Sequence, residues 1–312
     1  MLEGRRVLVV LNPVSGGGAA SEAEASVRAA LEAAGARAEI RHTRNETDSR
    51  AWARDAADEG FEVVLAFGGD GTANEVARGL LDAGGRAELG MLPVGTGNGL
   101  ARVLDLPIDP AKAVVALAAG RTMDLDVVEV LAPEGIALLF LGAGLDADIN
   151  RDADAAAKAR FGFLAYVWAV LRRLTRLRGH RVELTLDGET THMSAHTVTL
   201  FNAGRLVLGG VPVGPDADPH DGRVDVAVLR SPDFWRTAAA VVRLVTRVGS
   251  RRQFERAREV RLDADPPLPV HFDGDVVGTT PLVARVLPGA LRVIAGARYL
   301  KNAPAKSGRT AP

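Results

Sequence analysis

Apolar residues fall along this chain in two rhythms, and the change between them comes near Asp124. In the first, short unbroken apolar runs alternate with stretches whose apolar positions recur every three or four residues. Arg6 to Leu11, "RVLVVL", predicts a buried strand, followed by the loop Asn12-Pro13-Val14-Ser15-Gly16-Gly17-Gly18 and an alanine-rich helix. Ser21 and Glu24 have capping-box spacing at the start of that helix, and Gly35 ends it. Next come a strand through Ile40, a helix from about Thr47 to Glu59 stopped by Gly60, and a strand from Phe61 to Phe67. A helix follows "GGDGT", then a strand from Leu89 to Val94, the loop Gly95-Thr96-Gly97-Asn98-Gly99, and a helix from Asp109 to Ala119. This alternation predicts an α/β unit with a parallel sheet covered by helices.

In the second rhythm, short apolar runs are broken by glycine, aspartate and proline at close intervals, as in an antiparallel β unit. Two helix patterns interrupt it, Ala155 to Arg178 and Asp233 to Val248. The expected division is therefore 1–124 for the α/β unit and 125–288 for the β unit, with 289–301 packing back onto the first and 303–312 a disordered tail.

A chain of 312 residues can bury two cores, and 47% hydrophobic against 25% charged residues is a globular balance. The formal net charge of -1 offers no general attraction to nucleic acid. Without cysteine, disulfides and thiolate metal sites are excluded. No run of about 18 apolar residues exists to span a membrane, and "MLEGRRVLVVLNP" enters a strand pattern rather than a secretory signal, so a cytoplasmic protein is expected.

In an open parallel sheet, ligands sit where strand carboxyl ends meet helix N-termini, and three of the loops there are glycine-rich. Such loops can simply be tight turns. Three on one edge point instead to a phosphate cradle of backbone amides. Asp70 in "GGDGT" would repel a bare phosphate, so an Mg²⁺-nucleotide fits better than a free anion. No Gly-Lys-Ser or Gly-Lys-Thr follows these glycines, which excludes a Walker A loop, and a dinucleotide fingerprint is absent.

"NPVSGGG", "GGDGTANEV" and "PVGTGNGLAR", in this order and spacing, resemble the catalytic domain of the diacylglycerol kinase family, over about Val7 to Ile294. The resemblance implies ATP held by the α/β domain, a β-sandwich behind it, an active cleft between them, and a membrane lipid as acceptor. It implies nucleotide contacts at Asn12, Ser15, Thr43, Gly68, Gly69, Asp70, Gly71, Thr72, Ala73, Asn74 and Thr96. "VGPDADPHDGRVDVAVL" clusters Asp216, Asp218, Asp221 and Asp225 without EF-hand spacing. From spacing alone this is a solvated turn or an oxygen-ligand site. The family has a structural Mg²⁺ in such a segment, which implies the Asp221 side chain as ligand with main-chain oxygens of Asp218 and Arg223. Asp124 matches a family acid that connects this metal with the nucleotide.

Phosphoryl transfer to an alcohol needs a base near the hydroxyl. Asp273-Gly274-Asp275 resembles the family's catalytic Asp-Gly-Glu turn, making Asp275, Asp273 and Asp70 the expected catalytic acids. A second turn carries the literal Asp187-Gly188-Glu189, but "TTPLVARVLPGALRVIAG" after Asp275 matches the segment downstream of the family's active turn. Two departures stand out: Asp275 replaces the usual glutamate, and Gly99 stands where many members have aspartate. They leave room for a nucleotide-binding regulator with weak catalysis. An NAD kinase, which shares GGDG, is the other rival. Helix 155–178 carries Phe161, Leu164, Trp168 and Leu171 on one face and an arginine cluster, Arg172 to Arg178, at its end, a pattern that suits a lipid interface. Phe163, Tyr166, Val167, Val170 and Leu174 make its other side apolar too, which favours core packing. The expected partners are thus a lipid at the inner membrane face, met peripherally, with a homodimer left open and no nucleic acid.

Overall fold

The computed structural model describes residues 1–45, 47–144, 179–203, 206–208, 211–213, 217–230, 254–273, 275–297 and 299. The helices expected at 155–178 and 233–248, Asp216, Gly274 and the tail 303–312 lie outside the described residues.

The first part alternates as the apolar pattern requires: β1 (Arg6–Leu11), α1 (Ala19–Ala33), β2 (Arg37–His42), α2 (Asp48–Asp55), β3 (Val63–Gly68), α3 (Asp70–Asp82), β4 (Glu88–Pro93), α4 (Gly99–Val103) and α5 (Pro110–Ala118). β1, β3 and β4 are buried almost throughout because helices cover both faces of a parallel sheet. β2 sits at the edge and alternates in exposure. α3 turns Thr72, Ala73, Val76, Ala77 and Leu80 inward, at helical spacing. α2 crosses it at Gly79, where a Cβ would overlap the Arg50 carbonyl.

Two expectations need correction. The capping box at Ser21 does not form: Gly18, at φ +100, turns the chain into α1 at Ala19, which leaves Ser21 inside the first turn. α4 was not expected at all, because a five-residue helix shows too few positions for periodicity.

The second part is all strand among the described residues: β5 (Arg121–Ala132), β6 (Glu134–Ala137), β7 (Phe140–Gly144), β8 (His180–Leu186), β9 (Glu189–Ala195), β10 (Thr197–Phe201), β11 (Leu206–Leu208), β12 (Val211–Val213), β13 (Val224–Leu229), β14 (Glu255–Ala257), β15 (Glu259–Asp265), β16 (Pro269–Phe272), β17 (Asp275–Thr279) and β18 (Leu282–Ala295). One antiparallel sheet runs β14-β13-β10-β7-β16-β17. The other continues from the parallel sheet in the order β2-β1-β3-β4-β18-β15-β8-β9, with β5 and then β6 attached to β18. Val182, Leu184, Leu262 and Leu282 from this sheet pack against Leu141, Val198, Leu200 and Val270 from the other, giving a sandwich.

The two parts share strands. β18 lies beside β15 at Leu282 and beside β4 at Val293, and β5 accompanies it antiparallel from Val283↔Ala132 to Ala295↔Arg121. The register shifts between Leu287 and Leu291, around Pro288 and a left-handed Gly289 at φ +60. The boundary expected at Asp124 therefore falls inside β5.

Candidate active site

The loops leaving β1, β3 and β4 meet at the carboxyl edge of the parallel sheet. Their backbones touch. A Cβ on Gly16 would overlap the Val94 carbonyl, and one on Gly95 would lie 2.7 Å from the Gly69 Cα, so only glycine lets these loops join into one main-chain surface. Buried Asn98 closes the last loop: its side chain accepts from the Gly95 N–H at 2.8 Å and donates to the Gly95 carbonyl at 2.6 Å. Asn12 steadies the first, accepting from the Val14 N–H at 3.2 Å and donating to the Thr72 hydroxyl at 3.3 Å.

Exposure sorts the residues expected at the nucleotide. Gly71 and Thr96 are exposed, while Asn12, Ser15, Thr43, Gly69, Asp70 and Asn74 are half-buried. Gly68, Thr72 and Ala73 are buried, so they support the surface rather than line it.

Asp70 opens α3, and its carboxylate accepts from the N–H groups of Gly99 and Leu100, each at 3.0 Å. It thereby ties the first turn of α3 to the first turn of α4. A carboxylate has roughly four acceptor directions, so half-exposed Asp70 keeps some for a cation, and an Mg²⁺ carried by a nucleotide fits here. A Cβ on Gly99 would sit 2.5 Å from Leu139 Cδ1 and 3.7 Å from Asp70 Oδ1. An aspartate at that position would meet both an apolar wall and a like charge.

The turn from β16 to β17 reaches this edge through Asp273. Asp273 Oδ2 accepts from the Leu138 N–H at 2.9 Å and Asn74 Nδ2 at 3.2 Å; Oδ1 accepts from the Leu139 N–H at 2.9 Å and the Phe140 N–H at 3.0 Å. Burial pushes this carboxyl above the usual range against the pull of the three backbone N–H groups, and the charge of Asp70 adds to the rise. Asn74 also donates to the Ile136 carbonyl at 3.1 Å. Asp273, expected among the catalytic acids, and Asn74, expected at the nucleotide, are thus engaged with each other and join α3 to the β sandwich. Asp275 stands exposed at the start of β17.

The rival turn is elsewhere in the fold. Asp187 accepts from the N–H groups of Arg258 and Glu259 at 2.8 and 2.9 Å and faces Arg223 at 3.5 Å, fastening the β8–β9 hairpin to β15. Glu189 begins edge strand β9 and is exposed.

Asp218, Asp221 and Arg223 lie in the turn before β13. The Asp218 carbonyl accepts from the Asp221 N–H at 3.4 Å, and its carboxylate accepts from the His220 N–H at 3.2 Å. Asp221 Oδ1 accepts from the Arg223 N–H at 3.1 Å, and Oδ2 is paired with the Arg256 guanidinium. Asp124 is exposed on β5 and meets the turn through its carbonyl, 2.6 Å from His220 Nδ1. Both Asp221 oxygens are thus engaged by donors of the protein, and among the described residues no group of three or more His, Asp or Glu side chains is disposed to hold a metal.

Sequence reasoning missed Asp126. It is 1% exposed, and its carboxylate accepts from the N–H groups of Gly222 at 2.6 Å and Gly289 at 2.7 Å, joining the aspartate turn to the bend in β18. Burial raises its pKa, against those two N–H groups. The available signal was an acid inside the apolar run "LDVV".

Comparison with known proteins places this architecture. Residues 6–130 match the diacylglycerol kinase catalytic domain, and residues 140–295 match the YegS C-terminal NAD kinase beta sandwich-like domain. The chain is 32% identical over 306 residues to a Pseudomonas aeruginosa protein named "Probable lipid kinase YegS-like", covering 96% of this chain and 98% of that one. It is 29% identical over 283 residues to the diacylglycerol kinase of Bacillus subtilis, covering 89% and 92%. A crystal structure of a diacylglycerol kinase from Bacillus anthracis matches with a TM-score of 0.78 at 25% identity, over 94% of this chain and 97% of that one. With both domain models in order and nearly the whole length shared, this chain belongs to the diacylglycerol kinase and YegS-like lipid kinase family.

Proposed function

We propose that this chain is an ATP- and Mg²⁺-dependent lipid kinase that transfers the γ-phosphoryl group of ATP to the hydroxyl of a diacylglycerol-like or sphingoid lipid. The observation that carries this reading is the Asn74–Asp273 hydrogen bond, which pins the turn bearing exposed Asp275 against the helix that Asp70 opens. Amides of the glycine loops and the N-terminus of α3 receive the phosphates. Asp70 is the residue that would hold an Mg²⁺ bound with the nucleotide, which would offset the charge of the phosphates. Asp275 takes the acceptor's proton as its oxygen bonds to the γ-phosphorus and the bond to ADP breaks.

Among the described residues no helix is long and apolar enough to cross a membrane. We place the acceptor at the cytoplasmic membrane face, reached by peripheral contact. Incubation with γ-labelled ATP and total lipid extract should yield a labelled lipid that Asp275→Ala fails to make; no labelled lipid from the wild type would refute the reading. The NAD kinase likeness in the name of the second domain model favours one alternative. Label appearing in NAD in a parallel reaction would select it.

A further inference from the structure

We propose that Arg256 takes the place of a structural metal ion in this chain, so that the turn 218–223 is held by a guanidinium and needs no divalent cation. Arg256 lies on β14 directly opposite Asp225 on β13, and directly opposed residues of an antiparallel pair share one face of the sheet. Its Nε is 3.1 Å from Asp225 Oδ1, while Nη2 pairs with Asp221 Oδ2. Asp225 is 2% exposed and the Asp221 side chain 16%, so both carboxylates have lost most of their water and call for a positive charge. The one planar guanidinium stands within ion-pair range of both at once and donates to Asp221.

A second guanidinium closes the back of this arrangement: Arg223 Nη1 donates to the Arg256 carbonyl at 3.4 Å and faces Asp187 at 3.5 Å. A metal entering at Asp221 would have to displace Arg256 and take its charge away from buried Asp225, at a desolvation cost. The family's expected cation and this arginine therefore compete for one position, and here the arginine has it.

The test reads metal content and melting, not turnover, so it stands or falls separately from the kinase reading. Wild-type protein purified without chelator should contain less than about one tenth of an equivalent of Mg²⁺ or Ca²⁺, and its melting temperature should be the same in EDTA and in MgCl₂. Arg256→Ala should melt lower than wild type in EDTA and recover part of the difference when MgCl₂ is added, as expected for a ligand that binds only the folded state. Asp221→Asn combined with Arg256→Ala should lose that recovery. A stoichiometric divalent ion in the wild type, or a wild-type melting temperature that falls in EDTA, would overturn the inference. So would an Arg256→Ala protein that melts like wild type or ignores MgCl₂. If Arg256→Ala does not fold, the two wild-type measurements decide alone.

Discussion

Asp70 serves two ends with one carboxylate, the cap of α4 and, under the proposed function, the nucleotide's cation. Asp70→Asn separates them. The amide turns a donor toward a backbone N–H, which should cost about 1–3 kcal/mol of stability, and the lost charge should lower turnover by at least about 10²-fold. Chemical denaturation and steady-state kinetics read the two effects; wild-type turnover in a destabilised Asp70→Asn would leave the residue as a cap only. For Asp275 the expectation is different: Asp275→Ala should lower kcat by about 10²–10⁴-fold with nucleotide Kd nearly unchanged, since this side chain stands on the β turn and not on the phosphate loops. Glu189→Ala should change neither, and an inactive, folded Glu189→Ala would reverse the choice of turn. Asp70 was legible because a carboxylate among glycines contradicts a simple phosphate cradle. Asp126 and Arg256 were not, because each is defined by a partner far along the chain, Gly222 and Asp221, at separations of 96 and 35 residues.

Among the elements, β1, β3 and β4 could be read directly, since burial on both faces leaves an unbroken apolar run. α4 could not: it begins where Asp70, 29 residues earlier, supplies the acceptor for its first N–H. The side chain of Asn74 was read as a nucleotide contact because motif position says nothing about which way a helix face turns. In the fold it spans two elements, and Asn74→Ala should lower kcat much more than it weakens nucleotide binding, with Asn74→Asp failing to rescue because a second carboxylate would face Asp273. Equal losses in kcat and nucleotide affinity would return Asn74 to the nucleotide. The β8–β9 hairpin offers a pH test. Desolvation works against Asp187, but the N–H groups of Glu259 and Arg258 and the charges of Arg223 and Arg258 hold its pKa below the usual value. A lowered folded pKa contributes stability that is present above the ordinary Asp value of about 3.9 and lost as pH falls through the folded value. The urea midpoint of wild type should therefore exceed that of Asp187→Asn near neutrality, and the difference should shrink in acid below that range.

At the scale of the molecule, the two rhythms of the sequence suggested two bodies joined at a boundary, and the fold joins them with two paired strands instead. Pairing partners 156 residues apart, such as Arg285 and Glu129, leave no local trace, which is why the return of 289–301 to the first part was expected but the continuity of the sheet through β5 and β18 was not. Calorimetry should show one cooperative transition, raised as a whole by nucleotide; two separable transitions would mean that β5 and β18 do not couple the halves. The same continuity bears on how this chain could be divided. A fragment ending at residue 124 would take with it only the first four residues of β5 and none of β18, leaving β4 as a bare edge. The complementary fragment would keep β18 with part of its partner missing. Open backbone edges of this kind seek other chains, so the halves expressed apart should aggregate, and expressed together should reassemble through those same two strands.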